Sequence, residues 1–170
     1  MSGEPLPATP ALERAGGARV ARLIATFCGA GYAPVAPGKA GSAAALALAY
    51  GLRQWLGWDG AQFALLAAGG VLPAMWAAGR VEKESGRRDP PRVVIDEALG
   101  LWVTLAGVTS YNWKSWLAAF VLFRAMDIWK PFPVRRLENL RSGAGIIADD
   151  LMAGAYAALV LFAGGWFNLY

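Results

Sequence analysis

Two stretches of this chain, Ala61 to Gly79 and Leu151 to Tyr170, contain no charged residue at all. Runs of that length match the roughly 20 apolar residues that a helix needs to cross a bilayer. In hydrocarbon every backbone amide and carbonyl has to be bonded inside the protein, which leaves helices and closed barrels as the spanning structures. The runs are rich in Ala and Leu and show no strand alternation, so an all-α, multi-helix integral membrane domain is expected. Composition agrees: charged residues make up 16% of the chain, against about 25% in ordinary soluble domains.

The remaining segments fit helical hairpins. Ala43 to Leu56 reads as an Ala/Leu helix, and Trp58-Asp59-Gly60 as a turn. Arg80, Lys83, Arg87, Arg88 and Arg92 mark residues 80–92 as a charged loop. Val93 to Ser110 is apolar apart from Asp96, Glu97 and Thr104; Tyr111-Asn112-Trp113 reads as a turn, and Trp116 to Trp129 as the next helix. Lys130-Pro131-Phe132-Pro133 stops it, because proline lacks an amide donor and restricts the residue before it. Residues 1–22 are expected to be a mobile segment, and residues 23–170 a single membrane-embedded domain that opens on a glycine-proline loop over 23–42. Counting Lys and Arg places the N-terminus, the 80–92 loop and the 130–148 loop in the cytoplasm. Trp55, Trp58, Tyr111, Trp113, Trp116, Trp166 and Tyr170 fall at the opposite end, as an interfacial belt does, whereas Trp76, Trp102 and Trp129 do not. The modest net charge of +4 is clustered between apolar segments, and no nucleic-acid-binding motif accompanies it.

The chain has no histidine and one cysteine, Cys28. That excludes a phosphohistidine intermediate, a histidine base, an imidazole metal ligand and any cage of several cysteines. Pro34 stands where a cysteine-phosphatase loop starting at Cys28 needs an arginine. Any chemistry falls to oxygen ligands and hard metals.

Five of the twelve acidic residues, Asp96, Glu97, Asp127, Asp149 and Asp150, lie in or at the ends of apolar helices. A carboxylate in lipid costs several kcal/mol, so such residues face partners or a cavity. Glu97 lies fourteen residues before Tyr111, and Asp127 fourteen after Trp113. Antiparallel helices joined at that turn bring the two level, roughly 21 Å from it at 1.5 Å per residue. Asp149 and Asp150 are expected to begin the next helix from the same side. Five converging negative charges repel strongly and invite Mg²⁺ or another hard cation. Arg124 and Lys130, three residues either side of Asp127, can clamp a phosphate. Gly100 and Gly154, each about one turn past a carboxylate, allow helices to approach closely there. Taken singly, Asp149-Asp150 also reads as a helix-start charge pair and Asp127 as a structural ion pair. In the loop, Gly38, Gly41 and Ser42 can present backbone amides to a phosphate, with Lys39 adding charge; Pro and Gly there also serve a simple turn.

Four blocks carry a resemblance: Ala33–Ser42 (APVAPGKAGS), Val93–Leu105 (VVIDEALGLWVTL), Phe120–Arg136 (FVLFRAMDIWKPFPVRR) and Ser142–Gly154 (SGAGIIADDLMAG). In this order they resemble the bacterial phosphatidylglycerophosphatase A family. The resemblance implies Mg²⁺-dependent hydrolysis of phosphatidylglycerophosphate to phosphatidylglycerol and phosphate, on the cytoplasmic face of the bacterial inner membrane. It maps the family's acidic positions onto Asp96, Glu97, Asp127, Asp149 and Asp150, and its basic position onto Lys130. The chain departs from the family at Lys39, where Thr is usual, and at Ser142-Gly143-Ala144, where a His-Gly-Gly run is common. The expected function is thus a multi-pass lipid phosphatase, the alternative being a non-catalytic transporter or ion-binding protein built on the same buried acids.

Overall fold

The computed structural model describes residues 9–137 and 143–170, and among these every regular element is helical. In chain order the elements are α1 (Thr9–Ala25), a 3₁₀ turn (Ala30–Tyr32), α2 (Pro37–Leu56), α3 (Gly60–Ser85), α4 (Ile95–Leu105), α5 (Trp113–Trp129), the single turn α6 (Val134–Leu137) and α7 (Gly143–Trp166).

Local chemistry sets most of these boundaries. Pro37 opens α2, where its missing amide costs nothing and its fixed φ suits the helix. Asp59 caps α3: its carboxylate accepts from the Ala61 amide while the Gln62 side chain accepts from the Asp59 amide. Asn112 and Ser115 form the same reciprocal cap on α5. Lys130 closes α5 in the left-handed region, at φ 46°, and Pro131 prevents continuation.

At the centre stands α4. Nine of its eleven residues are buried, with α2, α3, α5 and α7 packed around it. A helix covered on all sides needs no polar face, and Leu99, Leu101, Trp102 and Leu105 are all buried. Trp102 satisfies its indole by donating to the Ala45 carbonyl at 3.2 Å. Glycines bring the neighbours in. A Cβ at Gly154 would fall on the Gly100 carbonyl, and one at Gly100 would meet the Asp150 carbonyl at 2.6 Å. Thr104 donates to the Gly100 carbonyl at 2.9 Å, close to that of Gly154, and so serves both helices at their crossing. Further along, α7 starts against α3, where a Cβ at Gly143 would fall on the Met75 carbonyl.

Among the described residues two helices, α3 and α7, are long and apolar enough to cross a membrane. The outer faces of the bundle expose Leu48, Leu65, Leu72, Leu117, Val121 and Leu159. Apolar surface on that scale belongs against lipid, and the protein is an all-α membrane domain. Its ends differ in character. At one, Trp58, Phe63, Tyr111 and Trp116 form a chain of ring contacts, with ring centroids 5.3 to 6.5 Å apart. Trp55, Trp113 and Trp166 are exposed. The expected aromatic belt is therefore split between packed and outward-facing rings.

Several boundaries differ from the sequence expectation. Residues 9–25 form α1, inside the stretch expected to be mobile and loop. The glycine-proline loop ends at Ala36, since Pro37 already starts α2. Arg80 to Ser85 continue α3 rather than belonging to a loop. Asp149 and Asp150 do not begin α7: it starts six residues before Asp149, so neither acid can cap it. The chain beyond Trp166 turns back, and the Tyr170 hydroxyl donates to the Leu161 carbonyl at 2.9 Å.

Candidate active site

The start of α2, the starts of α4 and α7, the end of α5 and the loop before α4 enclose a cavity of about 280 Å³ at the end opposite the aromatic rings. Asp96, Glu97, Asp127, Asp149 and Asp150 all line it, together with Arg124 and Lys130. The hairpin register expected for Glu97 and Asp127 is met through a shared cation. Nη1 of Arg124 lies 2.8 Å from Oε2 of Glu97 and 2.9 Å from Oδ2 of Asp127. Lys130 Nζ lies 2.7 Å from Oδ2 of Asp149.

Asp96 and Asp150 are placed differently. They are only 8% and 4% exposed, and other carboxylates act on each: Glu97, Asp89 and Asp149 on Asp96, and Asp96, Asp127, Asp149 and Glu97 on Asp150. The Asp96 carboxylate accepts from the Glu97 amide at 3.0 Å. No described residue donates a hydrogen bond to the carboxylate of Asp150. Arg124 and Lys130 pair with Glu97, Asp127 and Asp149, and Asp96 and Asp150 form no ion pair among the described residues. Buried anions in that position call for a counter-charge. The donor set is all oxygen and all anionic, which fits a hard divalent cation. Among the described residues no three acids already form a ligating cluster; Arg124 holds Glu97 and Asp127, and Lys130 holds Asp149.

The loop residues divide. Gly38 and Lys39, in the first turn of α2, line the cavity. Gly38 lies so close to Glu97 that a Cβ there would overlap its carboxylate. Gly41 and Ser42 do not line it. Gly41 packs on Val94, and Ser42 is fully buried. The Ser42 hydroxyl donates to Oε2 of Glu97 at 2.6 Å, so Ser42 meets the cavity through that carboxylate. Ser142 lies outside the described residues. The sequence reading passed over Asp89, which stands at φ 48° and lines the cavity. Its place in a charged loop hid it; Pro90-Pro91 after it, a rigid pair, was the available signal.

The family model described as phosphatidylglycerophosphatase A matches residues 23–164. A phosphatidylglycerophosphatase A of Escherichia coli strain K12 is 35% identical over 141 residues, covering 82% of this chain and 80% of the relative. A phosphatidylglycerophosphatase A of Haemophilus influenzae is 38% identical over 142 residues, covering 83% and 86%. A Bacteroides thetaiotaomicron protein provisionally named a phosphatidylinositol-3-phosphatase is 37% identical over 151 residues, covering 85% and 92%. No solved structure matches the chain significantly.

Proposed function

The chain belongs to the phosphatidylglycerophosphatase A family, and from that membership we propose that it hydrolyses the terminal phosphomonoester of phosphatidylglycerophosphate, releasing phosphatidylglycerol and phosphate. It is a phosphomonoester hydrolase, and the finer reading concerns its lipid, its metal and its place in the cell. The observation that carries the metal is the pair Asp96 and Asp150, buried beside other carboxylates and without an ion pair among the described residues. Mg²⁺ is the cation proposed, with Asp96 and Asp150 as its principal ligands and Glu97, Asp127 and Asp149 within the same cavity. Bound there, it supplies Lewis-acid stabilisation of phosphoryl charge.

The chain's own residues do the rest. Arg124 and Lys130 exchange part of their carboxylate contacts for the phosphoryl oxygens and offset the charge that grows on them. Gly38 and Lys39 bring the first amides of α2 to the cavity, where the helix dipole favours an anion. Ser42 holds Glu97 in place. A cavity carboxylate accepts the proton of the attacking water, and as the phosphorus–oxygen bond to glycerol breaks the departing oxygen takes that proton up to give the alcohol.

The cavity end also carries Arg87, Arg88, Arg92, Arg135 and Arg136, which supports a cytoplasmic orientation in the bacterial inner membrane. Phosphate release from the detergent-solubilised protein tests the reading. Phosphatidylglycerophosphate should be turned over with added Mg²⁺ and not with excess chelator. No release under either condition favours an ion-binding or transport role for the same acids.

A further inference from the structure

A second cavity, of about 680 Å³, lies beside the first and is lined by basic side chains. Its walls come from the end of α1, the 3₁₀ turn, the end of α3 and the loop between α3 and α4. That loop is the partition. Asp89 and Val93 face the carboxylate cavity, Arg87, Pro90 and Arg92 face the basic one, and Pro91 lines both. The acid of the second cavity, Glu84, is already engaged, by Arg22 at 3.3 Å and Arg80 at 3.4 Å. Arg87 and Arg92 are exposed and form no ion pair among the described residues, and the Arg92 guanidinium rests over the Tyr32 ring. Leu23 and Val20 of α1 are exposed nearby in the chain.

Resting on the lipid-phosphatase reading, we propose that this cavity binds the phosphodiester of the substrate lipid, while the phosphomonoester occupies the carboxylate cavity. Phosphatidylglycerophosphate carries both groups, joined by glycerol. A phosphatidylinositol 3-phosphate carries both as well, joined by inositol. What the two lipids share is a monoester on a polyol held through a diester. Two adjoining cavities, one suited to a metal and a dianion and the other offering arginines, suit that pairing. The phosphodiester has a single negative charge and needs no metal; a guanidinium reads its two free oxygens by paired hydrogen bonds. Arg87 and Arg92 are then specificity-determining residues that set which phosphomonoesters are accepted.

The test uses the full chain in detergent micelles. Arg87→Gln and Arg92→Gln should each raise KM for phosphatidylglycerophosphate about tenfold, the scale of one lost charge-assisted hydrogen bond, with kcat little changed. Inhibition by inorganic phosphate should stay as it is, because that ion enters the carboxylate cavity. Arg88→Gln removes an equal charge next door without lining the cavity, and should leave KM unchanged. A KM unaffected by the first two variants overturns the proposal. So does an equal rise in Arg88→Gln, which reports only attraction of an anionic lipid to a basic surface. Native mass spectrometry of bound phosphatidylglycerol, which has the diester and no monoester, separates the two readings. Retention by the wild-type protein but not by the arginine variants, in a chain that hydrolyses no phosphatidylglycerophosphate, means that the diester site stands and the phosphatase reading falls.

Discussion

At the scale of single residues, the site is an uneven distribution of charge. Glu97 and Asp127 share Arg124 and Asp149 takes Lys130, while Asp96 and Asp150 form no ion pair among the described residues. Asp150→Asn keeps the shape and removes one of the crowded charges. With Mg²⁺ present, turnover should fall by at least about a hundredfold, the scale of one lost electrostatic contribution to the transition state. In chelator the same variant should unfold at a higher temperature than the wild type, by about 2–4 °C for each kcal/mol of repulsion relieved. Parallel activity and melting measurements check both, and loss of activity together with lower stability in chelator would show misfolding instead. The two lysines of the cavity separate in the same way. Lys130 is clamped to Asp149 at the end of α5, whereas Lys39 is exposed in the first turn of α2. Lys130→Met should cost about a hundred- to thousandfold in kcat, and Lys39→Thr only a few-fold. Steady-state kinetics on both variants in matched micelles decides it.

At the scale of helices, the crossing of α4 and α7 brings Asp96 and Asp150 together, and glycine makes it possible. Gly154→Ala places a methyl group on the Gly100 carbonyl and should destabilise the protein by about 1–3 kcal/mol, with activity falling as the helices separate. Gly51→Ala makes the opposite comparison. No atom lies within 4 Å of a Cβ there, so this variant should gain about 0.5–1 kcal/mol of helix propensity and keep its activity. Thermal unfolding of the pair isolates packing from propensity. Part of this was legible in the sequence because hairpin arithmetic and glycine spacing depend on helix geometry alone: Glu97 and Asp127 come level, and Gly100 and Gly154 mark helices that approach closely, though not that they approach each other. The start of α7 was not. Gly143, Ala144 and Gly145 form a weak opening, and their helix is set by packing against Met75 and Gly79 of α3, which no local pattern reports. The place of Ser42 is not legible for a related reason: α2 starts at Pro37, which buries Ser42 behind Glu97 with its hydroxyl on that carboxylate. Asp89 was hidden by its charged surroundings.

For the molecule as a whole, polarity runs from an aromatic end to a charged end. Reporter fusions should place the loop carrying Arg87 and Arg88 in the cytoplasm and Tyr170 on the other side; a cytoplasmic signal at Tyr170 would reverse the orientation proposed for the active site. The short central helix has a further consequence, for how the protein is made. At about 16 Å, α4 reaches only about half the hydrocarbon thickness, and it carries two acids in its first turn. Such a segment has no reason to partition into lipid by itself as it leaves the ribosome. The long apolar helix before it, α3, can enter first, and α7, made after it, supplies the wall that closes around it. The carboxylate cavity thus takes shape only once α7 is in place, so a chain cut before α7 cannot hold it.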